Sequence, residues 1–108
     1  MKVLFVCTEG MYRSVTAMEV FKKLAKKKHV KADVKSAGID NHVKNHITKE
    51  LIHWADRIYV MEDFHKDWLI DMDKSSEQKI TVLGIADVYM KGEPDLIEIL
   101  EEKLGKEI

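Results

Sequence analysis

Only one cysteine and one proline stand among the 108 residues. A lone cysteine can build neither a disulfide framework nor a paired-cysteine metal motif, which leaves Cys7 as core filler or as chemistry. Long hydrophobic runs are missing too. Val3-Leu4-Phe5-Val6 follows Lys2 as a signal peptide's apolar segment would, yet it ends at once and no small-residue cleavage site comes after it. It reads as a buried strand. Nothing approaches the roughly 18 apolar residues of a membrane span, so no membrane partner is expected and the reducing cytoplasm is the expected location. Charge of one sign is also lacking: 18 Lys and Arg oppose 19 Asp and Glu, for a net charge of -1. That balance lacks the basic footprint of a nucleic-acid binder. The dense basic run from Lys22 to Lys31 lies on and beyond an expected helix end, where cations complement the helix dipole and solvate an exposed face.

What is present suits a soluble globular chain. Hydrophobic residues make up 45% and charged residues 34%, enough apolar surface to offset chain entropy, and the length suits a single domain over residues 1–108. Val3 to Val6 gives a first strand, after which Val15, Met18, Phe21, Leu24 and Ala25 recur at helical spacing. Val34 and the turn Ser36-Ala37-Gly38 end a second strand, Asp40 to Ile47 is polar loop, and Thr48 caps a helix carrying Leu51, Ile52 and Ala55. Arg57 to Met61 is a third strand, followed by a helix from about Asp63 to Ile70 whose Phe64, Trp68 and Leu69 share a face. Trp54 and Trp68 are assigned to the core. Lys79 to Leu83 is a fourth strand. After a loop from Gly84 to Gly92, Pro94 opens a terminal helix bearing Leu96, Ile97, Leu100 and Leu104. Strands alternating with helices imply a small doubly wound α/β fold: a four-stranded parallel sheet with helices on both faces. Ligands of such sheets bind beyond the carboxyl ends of the strands, where the loop after the first strand emerges.

That loop is Cys7-Thr8-Glu9-Gly10-Met11-Tyr12-Arg13-Ser14. A short loop wrapping onto a helix N-terminus aims successive backbone N–H groups at one point, and the helix dipole adds positive potential there, so it makes an anion cradle. The same field stabilises a thiolate and turns Cys7 into a nucleophile at neutral pH. The planar fork of Arg13 matches two oxygens of a phosphoryl group, and it would stabilise the charge of the transition state. The plainer alternative makes Cys7 a small buried hydrophobe and Arg13 a surface residue.

Position between strand and helix favours the cradle, and here the sequence resembles the low-molecular-weight protein tyrosine phosphatases, in particular a short-chain bacterial branch. Four markers in order carry the resemblance: Val3 to Cys7 with Arg13-Ser14, then Ser36-Ala37-Gly38, then Ala55 to Met61, then Asp87-Val88-Tyr89. The resemblance implies hydrolysis of phosphotyrosine or aryl phosphates through a phosphocysteine on Cys7, with no cofactor and no metal. It makes Asp87 the general acid that protonates the departing phenolate and then, as a base, activates water. Ser14 carries over as the hydroxyl bonded to the Cys7 sulfur, Tyr89 as an aromatic wall, and the loop from Thr8 through Glu9, Gly10, Met11 and Tyr12 as the phosphate-binding surface, with Met11 and Tyr12 a second wall. The implied partners are a phosphorylated protein or a small aryl phosphate, and inorganic phosphate as product and inhibitor. His65 resembles a histidine of the short branch and is assigned a structural role.

The chain also departs from the pattern. The family loop carries Gly-Asn where this chain has Glu9-Gly10, so the asparagine that braces the loop is missing, and Glu9 brings a carboxylate to a dianion site, with an outward orientation expected. Val15 and Val88 replace prolines. These departures imply low activity or an unusual substrate. Asp95 competes with Asp87 for the acid, but its first-turn position is already explained by the helix dipole. Other readings of the same loop are an arsenate reductase using an external thiol, a phosphocarrier, and a degenerate phosphate-binding or regulatory module without turnover. His42, His46 and His53 raise the idea of zinc, which the absence of flanking carboxylates argues against.

Overall fold

The computed structural model describes all residues 1–108. Its elements are β1 (Lys2–Cys7), α1 (Arg13–Lys27), β2 (Asp33–Gly38), α2 (Lys49–Trp54), β3 (Arg57–Val60), α3 (Asp63–Met72), a 3₁₀ turn (Lys74–Lys79), β4 (Ile80–Val82) and α4 (Pro94–Gly105). The sheet runs in the order β2-β1-β3-β4 with every pairing parallel. The expected four-stranded parallel sheet with helices on both faces is therefore the observed one.

Alternation along the strands divides the core in two. Val3, Phe5 and Tyr59 face α1 and α4, against Phe21, Leu96, Leu100 and Leu104. Phe5 stacks on Tyr59 with ring centroids 5.3 Å apart, and Phe21 meets Phe5 edge-on at 5.7 Å. On the opposite face Leu4, Val6, Ile58 and Val60 pack against Ile47, Ile52 and Leu69, which covers the sheet with α2 and α3. β1 is covered on both sides and flanked by β2 and β3, so the order reverses about it and the loop after Cys7 emerges at the switch point.

Local signals fall where the sequence places them. Thr48 Oγ1 accepts from Leu51 N at 3.1 Å and caps α2, while Pro94 occupies the first turn of α4. Lys28, just past α1, donates to the carbonyls of Gly105 and Ile108, and Arg57 donates to Glu107 O at 2.8 Å, tying the end of α4 to the end of α1 and to the start of β3. No helix is long and apolar enough to cross a membrane.

α3 corrects the sequence reading. Its buried residues are His65 and Leu69, one helical turn apart, whereas Phe64 and Trp68 are 45% and 44% exposed. Periodicity identified the stripe but not which of two neighbouring stripes the sheet covers. Trp68 is thus not core, while Trp54 is half-buried against the α2 side with Lys35 Nζ 4.4 Å over its ring.

Candidate active site

β1 delivers Cys7 buried, at 2% exposure, and the chain then turns through Thr8–Tyr12 onto α1. Tyr12 at the helix start makes no side-chain cap and the first turn holds no acidic residue, so the initial N–H groups remain available to an anion. Gly10 adopts φ +68°, a conformation open to glycine, and from it the Gly10 N–H donates to Cys7 Sγ at 3.1 Å. Ser14 Oγ lies 3.1 Å from the same sulfur and Ser14 is fully buried. The sulfur thus has two polar partners oriented by the turn itself. Glu9 is exposed, and Met11 is 51% exposed at the rim.

Arg13 is 1% exposed. A buried guanidinium needs a counter-ion and full hydrogen bonding. Its Nη1 donates to Glu62 Oε2 at 2.7 Å and to Ile85 O at 2.7 Å, and its Nη2 lies 3.5 Å from Thr8 Oγ1. Nε faces Asp87 Oδ1 at 3.7 Å. One edge of the fork is fixed by residues that follow β3 and β4, while the other edge looks toward Thr8 and Asp87. Asp87 itself is exposed on the Gly84–Gly92 loop.

His65 completes the support. It is fully buried, its Nδ1 accepts from Glu62 N at 3.0 Å, and its Nε2 therefore carries the hydrogen and donates to Thr8 Oγ1 at 2.9 Å. Burial first, and then the Arg13 charge, lower its pKa to about 4; the carboxylates of Glu62 and Asp87 offset this only in part. His65 is neutral at pH 7 and holds the threonine beside Cys7.

Cys7, Thr8, Gly10, Arg13, Ser14 and Asp87 thus come together. Tyr89 does not join them: it packs against the α1–α4 core and lines a recess with Asp95, Glu98 and Ile99 on α4. Of the three histidines considered for zinc, His42 and His46 both turn to Asp40, the first toward its carboxylate at 4.0 Å and the second toward its carbonyl at 3.1 Å, while His53 pairs with Asp73. Sequence reasoning passed over Glu62 and gave His65 no link to the loop. The available signal was a carboxylate just past β3, beside β1, where a buried Arg13 must find its counter-ion. It also found the loop's own bracing asparagine missing, whereas Asn45 Nδ2 donates to Gly10 O at 2.8 Å. The brace exists, supplied from outside the loop.

Residues 2–102 match the family model described as low molecular weight phosphotyrosine protein phosphatase. A protein-arginine-phosphatase of Bacillus subtilis (strain 168) is 25% identical over 146 positions, which take in 100% of this chain and 97% of that protein. The structure of an arginine phosphatase from Geobacillus stearothermophilus is 25% identical with a TM-score of 0.68, covering 98% of this chain and 94% of that one. Wzb of Vibrio vulnificus, solved with benzylphosphonate, has a TM-score of 0.79 at 22% identity, covering 97% of this chain and 94% of that one, a likeness of fold.

Proposed function

The chain belongs to the low molecular weight phosphotyrosine protein phosphatase family, and from that membership we propose that it hydrolyses phosphotyrosine or related aryl phosphates in the reducing cytoplasm, as one domain over residues 1–108. The observation that carries the proposal is the setting of Cys7 Sγ, with Gly10 N and Ser14 Oγ each at 3.1 Å and the buried Arg13 reaching toward Asp87 at 3.7 Å.

The Cys7 thiolate attacks phosphorus in line with the leaving group; the S–P bond forms, the P–O bond to the phenol breaks, and Asp87 donates its proton to the departing oxygen. The loop amides and Arg13 stabilise charge on the equatorial oxygens. Water then attacks the phosphocysteine, Asp87 as carboxylate takes its proton, and the thiolate leaves with a hydrogen bond from Ser14. Inorganic phosphate is the product and, by occupying the same cradle, an inhibitor.

Exposed apolar side chains favour an aryl leaving group. Met11 on one loop is 51% exposed, and on the other Val88 and Met90 are 73% and 65% exposed. Covering such groups with an aromatic ring removes apolar surface from water.

The test is turnover of an aryl phosphate by purified protein, with a phosphoryl adduct on Cys7 in rapidly quenched samples. Cys7→Ser is expected to abolish turnover while the protein stays folded, because a hydroxyl supplies no anionic nucleophile at neutral pH. Full activity in that variant would remove the covalent mechanism. Faster hydrolysis of phosphoarginine than of the aryl ester would move the substrate to the guanidino class.

A further inference from the structure

Gly10 is the weak point of the cradle by composition. Glycine has the largest conformational freedom of any residue, and the Gly10 N–H must nevertheless point at Cys7 Sγ, which it meets at 3.1 Å from φ +68°. Support comes from 35 residues away. Asn45 Nδ2 donates to Gly10 O at 2.8 Å and to Ser36 O at 3.2 Å. A primary amide carries two hydrogens, and here one holds the cradle loop and the other ties it to β2. Asn45 is itself fixed by its main chain, since Gly38 N donates to Asn45 O at 3.0 Å and Ile47 N to Gly38 O at 2.9 Å, with Ile47 buried in the core.

The fit is steric as well. A Cβ on Gly10 would lie 2.7 Å from Asn45 Nδ2, 2.8 Å from Asn45 Oδ1 and 2.7 Å from Gly38 N. The Asn45 amide therefore occupies the space from which a side chain at position 10 would start. A brace carried by residue 10 and a brace carried by Asn45 exclude each other, and this chain has the second.

We propose that Asn45 is a positioning residue that holds Gly10 in its left-handed conformation and thereby aims the Gly10 N–H at the sulfur and at a bound phosphoryl group. The assignment rests on the reading of the loop as a phosphate cradle. Two uncharged variants separate bonding from space filling: Asn45→Ala removes the side chain, and Asn45→Leu keeps its approximate size but has no hydrogen to donate and adds no charge beside the cradle. In both, inorganic phosphate is expected to bind about tenfold more weakly, and alkylation of Cys7 by iodoacetamide near neutral pH is expected to slow, because a misaligned amide stabilises the thiolate less. Wild-type phosphate binding and alkylation in the Leu variant would overturn the proposal, since filling the space would then suffice. Neither probe requires turnover, so a protein that binds phosphate without hydrolysing aryl esters would defeat the proposed function and leave the brace standing. Should both variants fail to fold, the wild-type protein still decides: the Asn45 side-chain amide resonances should shift when phosphate saturates the cradle, and unmoved resonances would overturn the proposal.

Discussion

Two loops meet over Arg13, and they are built in opposite ways. Thr8–Tyr12 is pinned along its first half. Thr8 O accepts from Asp40 N at 2.9 Å, Thr8 Oγ1 accepts from His65, and Gly10 O accepts from Asn45. The loop also lies so close to β2 that a Cβ on Gly38 would stand 2.6 Å from the Glu9 carbonyl carbon. Gly84–Gly92 is held mainly at its ends, where Ile85 N donates to Met61 O at 2.8 Å and Gly92 N donates to Thr16 Oγ1 at 3.0 Å. Between them Asp87, Val88 and Met90 are exposed, and the bounding glycines at φ +71° and +73° have open space where a Cβ would be. On the proposed mechanism the contrast matches two chemical tasks. Donors that stabilise transition-state charge work best when fixed beforehand, whereas an acid must reach leaving oxygens of differing shape.

The largest expected effect belongs to the loosely held loop. Asp87→Asn should slow esters of poorly acidic phenols about a thousandfold, in the range of general acid catalysis, while esters of activated phenols lose far less. Steady-state kinetics over a leaving-group series would check this. Equal losses across the series would remove Asp87 as the acid.

Next comes the pin at Thr8. Folded His65 has a pKa of about 4 against 6.5 for the free group. Below pH 6.5 the unfolded chain takes the proton first, so stability is full above that pH and declines as pH falls toward 4. At about 1.4 kcal/mol per unit the loss approaches about 3 kcal/mol. Urea denaturation between pH 7 and 4 should show this decline, and His65→Asn should flatten it. An unchanged slope in the variant would mean that other groups carry the acid sensitivity.

The smallest effect sharpens the contrast between glycines. Gly38→Ala drives a methyl group into the backbone of residues 8–10 and should cost about 3 kcal/mol, whereas Gly84→Ala meets nothing and carries only the backbone penalty of about 1 kcal/mol. Paired denaturation curves would measure the difference of about 2 kcal/mol. Equal losses would show that the close approach at Gly38 yields easily.

The fold was readable because its signals are local: the short apolar run of β1, the three-four spacing of α1, the Thr48 cap and Pro94 each act within a few residues. That Cys7 and Arg13 share one loop was readable for the same reason, since six positions separate them. Asn45 was not, because an asparagine in a polar loop carries no mark of the carbonyl it will meet across 35 residues. Glu62 was legible only by asking what neutralises Arg13. Phe64 and Trp68 were misplaced because a stripe's spacing does not reveal which side of the helix the sheet will cover.

The position of β1 between two parallel neighbours also governs how the molecule forms. Neither neighbour follows β1 through a tight turn; β2 comes after a whole helix, and β3 pairs Val3 with Arg57. Loop closure must precede the reward of such distant pairings, which places the protein among slower-folding topologies. Cys7 and Arg13 lie on one side of that gap, and Glu62, His65 and Ile85 on the other. No partly assembled form can hold the site, and the amides of Leu4 to Val6 should exchange with deuterium only through global unfolding.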